Sequence, residues 1–343
     1  MAIQNFNPEG KYSKASVLSN DAYISGILKG DRSILSRAIT LIESNNPLHH
    51  QQADELISAC LPHSGKAFRL GITGVPGVGK STFIETFGAL LIKKEYKVAV
   101  LAIDPSSGRS KGSILGDKTR MASLATNDNA FIRPSPSADA FGGVARKTRE
   151  TIMLCEAAGY DFIIVETVGV GQSETAIKSM VDFFLLLLLP GAGDELQGIK
   201  RGIVEMADML VINKTDGELK NSAKRAKLDY KNALHLFPPT ESGWEVKVLT
   251  CSATEETGLT DILKQLDKYQ SEMTKSGYSK TLRQKQNEYW LSESLFDALK
   301  MDFLSNKEIK SKLEQLKSEV SQGKISPFKA SEYLISLYKK LAK

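Results

Sequence analysis

The sequence predicts an α/β fold, a mostly parallel sheet flanked by helices, with further helical segments before and after it. Two observations predict it. Short apolar runs of strand length recur through the middle of the chain, at 68–73, 98–103, 161–165, 183–189 and 209–212, and each leads into a loop rich in glycine or charge. Toward both ends the apolar residues recur instead at helical spacing. At 343 residues the chain is long for one domain. The economical division is a helical N-terminal extension at 1–66, a core at 67–270 and a helical C-terminal region at 271–343.

In the extension, Asp31 can cap a helix whose apolar positions Ile34, Leu35, Ala38, Leu41 and Ile42 recur at helical spacing and stop before Pro47. A second helix runs through Ala53, Leu56, Ile57 and Cys60. This pair either packs on the core sheet or offers a surface to a partner.

The first core strand, Phe68 to Thr73, enters Gly74-Val75-Pro76-Gly77-Val78-Gly79-Lys80-Ser81, a complete G-x-x-x-x-G-K-[ST] loop. A helix-spaced run through Ile84, Phe87 and Leu91 follows. Strand, glycine-rich loop and helix in that order make a phosphate cradle. The loop turns backbone N–H groups toward β- and γ-phosphate oxygens, Lys80 adds a point charge, and the helix contributes the positive end of its dipole. The cradle residues are Gly74, Val75, Gly77, Val78, Gly79, Lys80, Ser81 and Thr82, with Ser81 placed as a Mg²⁺ ligand.

The next strand, 98–103, ends at Asp104 and opens a Ser/Gly-rich loop through Ser113, suited to a switch over the nucleotide. Asp117 follows in Gly116-Asp117-Lys118-Thr119-Arg120, a segment that also suits a structural salt-bridge cluster. The strand at 161–165 runs into Glu166-Thr167-Val168-Gly169, where most GTPases carry D-x-x-G. Glu166 can hold Mg²⁺ through water, and the Gly169 N–H can bond the γ-phosphate. Val170 stands where a glutamine orients the attacking water in Ras-like enzymes, and an isopropyl group cannot do that. Slow intrinsic hydrolysis is the expectation, with help from Asp104 and Asp117 as carboxylates and Lys111, Lys200 and Arg201 as charge stabilisers.

The run Phe183 to Leu189 is too short to span a bilayer and suits a strand buried on both faces. The strand at 209–212 ends in Asn213-Lys214-Thr215-Asp216. This N-K-x-D motif selects the base: Asp216 can accept two hydrogen bonds from guanine N1–H and its exocyclic amine, a pair of donors that adenine lacks. Lys214 would lie along the base, and Asn213 would tie this loop to the cradle. Ser252 and Ala253, after a further strand ending near Thr250, resemble the last guanine-contacting loop of GTPases.

The core closes with a helix through Leu259, Ile262, Leu263 and Leu266, and the polar stretch 271–279 reads as a linker. Beyond it Trp290, Leu291, Leu295, Ala298 and Leu299 fall on one helix face. Ile309, Leu313, Leu316 and Val320 follow at near-heptad spacing, and Gly323 with Pro327 marks a stop and a new start.

Taken together, 74–82, 104–107, 112–121, 165–174 and 189–200 resemble the MeaB/ArgK-type GTPases, the methylmalonyl-CoA mutase-associated metallochaperone family within the SIMIBI class. Ala138-Asp139-Ala140-Phe141 departs from the small-residue run expected there. The resemblance implies a P-loop GTPase core and places Asp104, Asp117 and Glu166 around Mg²⁺ and the γ-phosphate. It makes 191–201 a further switch coupled to a partner, with Lys200 among the catalytic candidates. The implied function is to gate adenosylcobalamin loading into a B12-dependent acyl-CoA mutase and to protect or rescue that enzyme. Arg283, Gln286 and Trp290 resemble the family's dimer arm, which assigns the tail to homodimerisation, with intramolecular docking the alternative. An older description as an arginine-transport kinase is the rival reading. A nickel-insertion chaperone lacks its His- or Cys-rich site here.

Composition agrees with a bacterial-type cytoplasmic protein, with a mitochondrial matrix origin the alternative. The formal charge of +5 reads as modest and dispersed, without the basic, aromatic-laced stripe of a nucleic-acid binder. Cys60, Cys155 and Cys251 form no C-x-x-C pair and read as reduced thiols. His49 and His50 are adjacent and point to different helix faces, as surface histidines do. The N-terminus shows no secretory pattern.

Overall fold

A computed structural model describes residues 18–44, 46–103, 121–135, 141–167, 174–191 and 201–341. By contact the chain divides into two units, one formed by residues up to Ala67 with Glu150–Asp161, the other by Phe68–Arg149 and Phe162–Lys343.

The first unit is helical, with α1 (Asn20–Leu28), α2 (Arg32–Ile42) and α3 (Pro47–Cys60). Asp31 caps α2 as its sequence predicts, one carboxylate oxygen accepting from Ser33 N at 2.8 Å and Ile34 N at 3.0 Å. Leu35, Ala38, Leu41 and Ile42 are buried, as are Leu56 and Cys60. Gly65 N donates to the Glu156 carboxylate at 2.7 Å and fixes the end of this stretch to the 150–161 segment. His49 shares a hydrogen bond with Ser44.

In the second unit, seven strands form one parallel sheet: β1 (Phe68–Gly74), β2 (Val98–Ile103), β3 (Ala130–Ser135), β4 (Phe162–Thr167), β5 (Phe183–Leu188), β6 (Met209–Ile212) and β7 (Lys247–Thr250). Their order is β3-β2-β4-β1-β5-β6-β7, and each pairing is parallel. β1 is central, and the chain builds outward to one side before β4 and then to the other after it. That reversal puts a crevice at the carboxyl ends of the middle strands, where such sheets bind ligands. β5 shows why its apolar run is unbroken. Leu185 and Leu187 pack in one cluster with Phe83 and Phe87 of α4 (Lys80–Lys93), while Leu186 and Leu188 pack on the other face with Ala226 and Tyr230. β3 is the strand the sequence reading does not anticipate, because Pro134 interrupts it; an edge position tolerates the missing N–H.

Among the remaining helices are α5 (Ala122–Ala125), α6 (Phe141–Ala157), whose residues from Glu150 onward belong to the first unit, α7 (Glu174–Lys178), α8 (Arg201–Met206) and α9 (Lys220–Leu234). The charge is less dispersed than the composition suggests: α9 carries Lys220, Lys224, Arg225, Lys227 and Lys231 against Asp229 alone.

The expected linker at 271–279 is replaced by helix. α10 (Leu259–Lys275) runs through its first half, Gly277 turns at φ +77°, and α11 (Tyr278–Ser305) begins at once. The polar residues are the solvent face of an amphipathic helix whose Leu266, Tyr269 and Met273 stay buried. After α11 come α12 (Lys307–Ser321) and α13 (Pro327–Leu341), which pack Leu316 against Ala330 and Leu334. The single face expected on α11 is split: Trp290 is buried, whereas Leu291, Leu295 and Leu299 are 72%, 55% and 56% exposed. No helix among the described residues is long and apolar enough to cross a membrane.

Candidate nucleotide-binding site

β1 delivers the cradle to the centre of the sheet's carboxyl edge, and α4 departs from Gly79 with its first turn facing the loop. The N–H groups of that first turn have no partner within the helix, which is the geometry an anion uses. Ser81 is half-buried and Thr82 exposed there. Lys80 is buried, and its ammonium donates back across the loop to Gly74 O at 2.8 Å and Val75 O at 3.4 Å. Burial holds its pKa below the usual lysine value, opposed by the carboxylates of Glu166 and Glu174.

Glu166 is the second-last residue of β4, paired in register with Ile72 of β1 and Ala102 of β2, and is 8% exposed. Beside it the Thr167 and Thr73 hydroxyls share a hydrogen bond of 2.9 Å, joining the end of the glutamate's strand to the end of the cradle's strand. Neither threonine is legible as a site residue in the sequence, because no motif contains the pair. Asp104, Asp117, Gly169 and Lys200, together with Lys111 and Val170, lie outside the described residues.

The N-K-x-D loop lies against the cradle. Asn213 is 1% exposed; its amide donates to Val78 O at 2.9 Å and its carbonyl accepts from Ala253 N at 3.2 Å and the Cys251 thiol at 3.4 Å. One side chain therefore binds the cradle, the N-K-x-D loop and the Ser252-Ala253 loop together, as the sequence anticipates for Asn213 and does not for Cys251. Gly79 makes this approach possible. Its φ is +92°, and a Cβ there would stand 2.9 Å from Asn213 Nδ2. Lys214 adopts φ +58°, a strained conformation for a side-chain-bearing residue, and its stem passes over Gly79. Asp216 accepts the Ser252 hydroxyl at 2.8 Å, and Ser252 in turn accepts from Glu255 N at 3.1 Å. The carboxylate is thus oriented by the loop that follows β7.

Cradle, base loop and sheet position are those of a guanine-nucleotide site. The family model described as "Methylmalonyl Co-A mutase-associated GTPase MeaB" matches residues 35–308. The chain belongs to the MeaB family of GTPases. A relative described as "Putative GTPase" from Caulobacter vibrioides is 49% identical over 91% of this chain and 95% of its own length. "GTPase ArgK" of Escherichia coli is 45% identical, covering 87% and 90%. The mouse "Methylmalonic aciduria type A homolog, mitochondrial" is 43% identical, covering 93% and 79%. Among solved structures, "Crystal structure of LAO/AO transport system kinase" superposes with a TM-score of 0.74 at 37% identity, covering 94% of this chain and 100% of that one. The MeaB family model spans most of α2, all of α3, the whole sheet and α11, so all the described site residues fall inside it.

Proposed function

We propose that this chain binds and hydrolyses GTP as a chaperone of a B12-dependent acyl-CoA mutase, with methylmalonyl-CoA mutase the favoured partner. In this reading it gates loading of adenosylcobalamin and protects or reactivates the mutase. The observation that carries the nucleotide half is the Asn213 clamp, which bonds the base loop directly to the cradle and to the Ser252-Ala253 loop. The mutase half is supported by the family's description and by relatives named for methylmalonic aciduria.

The residues divide the work. Asp216, oriented by Ser252, takes the two guanine donors, and rejecting adenine gains several kcal/mol from the carboxylate that ATP would leave unpaired. Lys80 exchanges its carbonyl partners for phosphate oxygens, whose negative charge offsets the cost of burying the ammonium. Backbone N–H groups of 79–82 and Gly169 complete the cradle. Ser81 and Glu166 offer the hard oxygen donors that suit Mg²⁺, with Asp104 and Asp117 completing the set. When bound, that ion neutralises charge between the β- and γ-phosphates. Lys200 stabilises charge at the transferred group. With valine at position 170, hydrolysis is slow alone and accelerated by the partner.

The chain acts in the cytoplasm as a homodimer. Leu291, Leu295 and Leu299 form an exposed apolar row on α11, with Phe296 and Met301 also exposed on that helix, and a second copy of the chain would cover the row.

GTP turnover of the purified protein, alone and with methylmalonyl-CoA mutase from the same organism, tests the reading. A slow basal rate that rises many-fold is expected; a rate indifferent to the mutase removes the partner. Transfer of the γ-phosphate to free arginine would instead favour the kinase reading.

A further inference from the structure

After α7 the chain turns at 179–182, and three groups of that turn are held by one face of α11. Trp290 Nε1 donates to Ser179 O at 3.1 Å and Gln286 Nε2 to Val181 O at 2.8 Å. Arg283 forks onto Asp182, Nε to Oδ1 at 2.9 Å and Nη2 to Oδ2 at 2.6 Å. Positions 283, 286 and 290 share a helix face, and Gln286 and Trp290 are buried. The Arg149 guanidinium covers the Trp290 ring at 5.6 Å.

The same turn is fixed from behind to the strands that deliver the nucleotide loops. Asp182 Oδ2 also accepts from Arg69 N at 2.9 Å, and Asp182 N donates to Arg69 O at 2.8 Å; Arg69 is the second residue of β1, which ends in the cradle. Lys178 pairs with Asp208, which accepts from Phe184 N at 2.7 Å and precedes β6, the strand of the base loop. Gly71 of β1 leaves no clearance, since a Cβ there would lie 2.8 Å from Phe184, 3.0 Å from Val181 and 3.1 Å from Ile177. At the head of α7, Glu174 is 2% exposed and close enough to act on the charge of Lys80. α7 is five residues long, about 7.5 Å of helix, so its two ends move together.

We infer that Arg283, Gln286 and Trp290 are positioning residues for the nucleotide site: they hold the 179–182 turn, and through it set α7 against β1, the strand that ends in the cradle. A change in the number of bound phosphates reaches α11 by the same route. The inference rests on the guanine-nucleotide reading of the cradle. It gives α11 a part in the site as well as a surface of its own.

The chain has two tryptophans, so Trp244→Phe leaves Trp290 as the sole indole. Its emission is expected to differ between GDP and a non-hydrolysable GTP analogue, at a protein concentration where the mass is the same in both. Trp244 is itself buried; if that variant fails to fold, the wild-type spectrum minus that of Trp290→Phe gives the same quantity. Arg283→Met should abolish the difference while a fluorescent GDP still binds one per chain. It should also lower kcat per titrated site about three- to thirtyfold, the range seen for residues that couple without touching ligand, with KM for GTP within about twofold. Nucleotide binding with identical Trp290 emission in both states overturns this inference alone. Absence of any guanine-nucleotide binding overturns the reading beneath it as well.

Discussion

The Asn213 amide donates to the Val78 carbonyl at 2.9 Å, joining two loops that are 135 positions apart in the chain. The sheet brings these loops together because β6 stands two strands from β1, with β5 between. Asn213→Ala would leave Val78 O and Ala253 N without this buried partner, at a cost of about 1–3 kcal/mol for each group left unsatisfied. Thermal unfolding should move down by several degrees, and GDP affinity should fall with it. A variant that melts and binds like the parent would show that the clamp contributes nothing.

Asp216→Asn should weaken GTP by about two orders of magnitude and turn preference toward xanthosine nucleotides, because the amide offers a donor where guanine also offers one. Competition of GTP and XTP against a fluorescent GDP measures it. Ser252→Ala should act in the same direction but less, since it removes only the hydroxyl that orients the carboxylate at 2.8 Å. Unchanged GTP affinity in Asp216→Asn would remove the guanine assignment.

Burial pushes the Cys60 thiol up to about 11 and the Cys251 thiol up to about 12, from a usual 9.0. All three cysteines are buried, so the native protein at pH 8 should react slowly with a thiol-specific disulfide reagent and release three equivalents only on unfolding. The folded-state values are raised, so the stability these thiols contribute is complete below pH 9. It declines from pH 9 through 11 to 12, as the unfolded chain loses protons that the folded one keeps. Rapid labelling of Cys251 at pH 8 would mean that the Asn213 cluster opens in the native state.

Leu295 and Leu299 are 55% and 56% exposed. Leu295→Glu with Leu299→Glu should therefore leave the single chain folded, with its circular dichroism spectrum unchanged. The same pair should convert a species of twice the 37.6 kDa chain mass to single chains in light scattering. A dimer that persists would place its interface elsewhere than α11.

Much of the site was legible in advance, and the reason differs by residue. The loop 74–81 and the N-K-x-D at 213–216 are contiguous words whose spacing is fixed by one phosphate group and one base, so each can be read without knowing the fold. Asp31 and the apolar positions of α2 were legible because a cap and a 3.6-residue period are local. β3 was not, since Pro134 argues against a strand until the edge position is known. Nor was the helical nature of 271–275, where a polar surface resembles a linker until its opposite face is seen buried.

The sequence alone determined the chemistry of the nucleotide site, because glycine, lysine and aspartate at those spacings have few other uses. It also determined the alternation of strand and helix, because burial on one face or two leaves a period in the chain. Only the tertiary structure decided which distant groups meet. Thr73 with Thr167, Cys251 with Asn213, and Arg283 with Asp182 are each joined by strand order and helix docking. These meetings leave no local period, since the energy that selects them comes from the whole sheet closing at once.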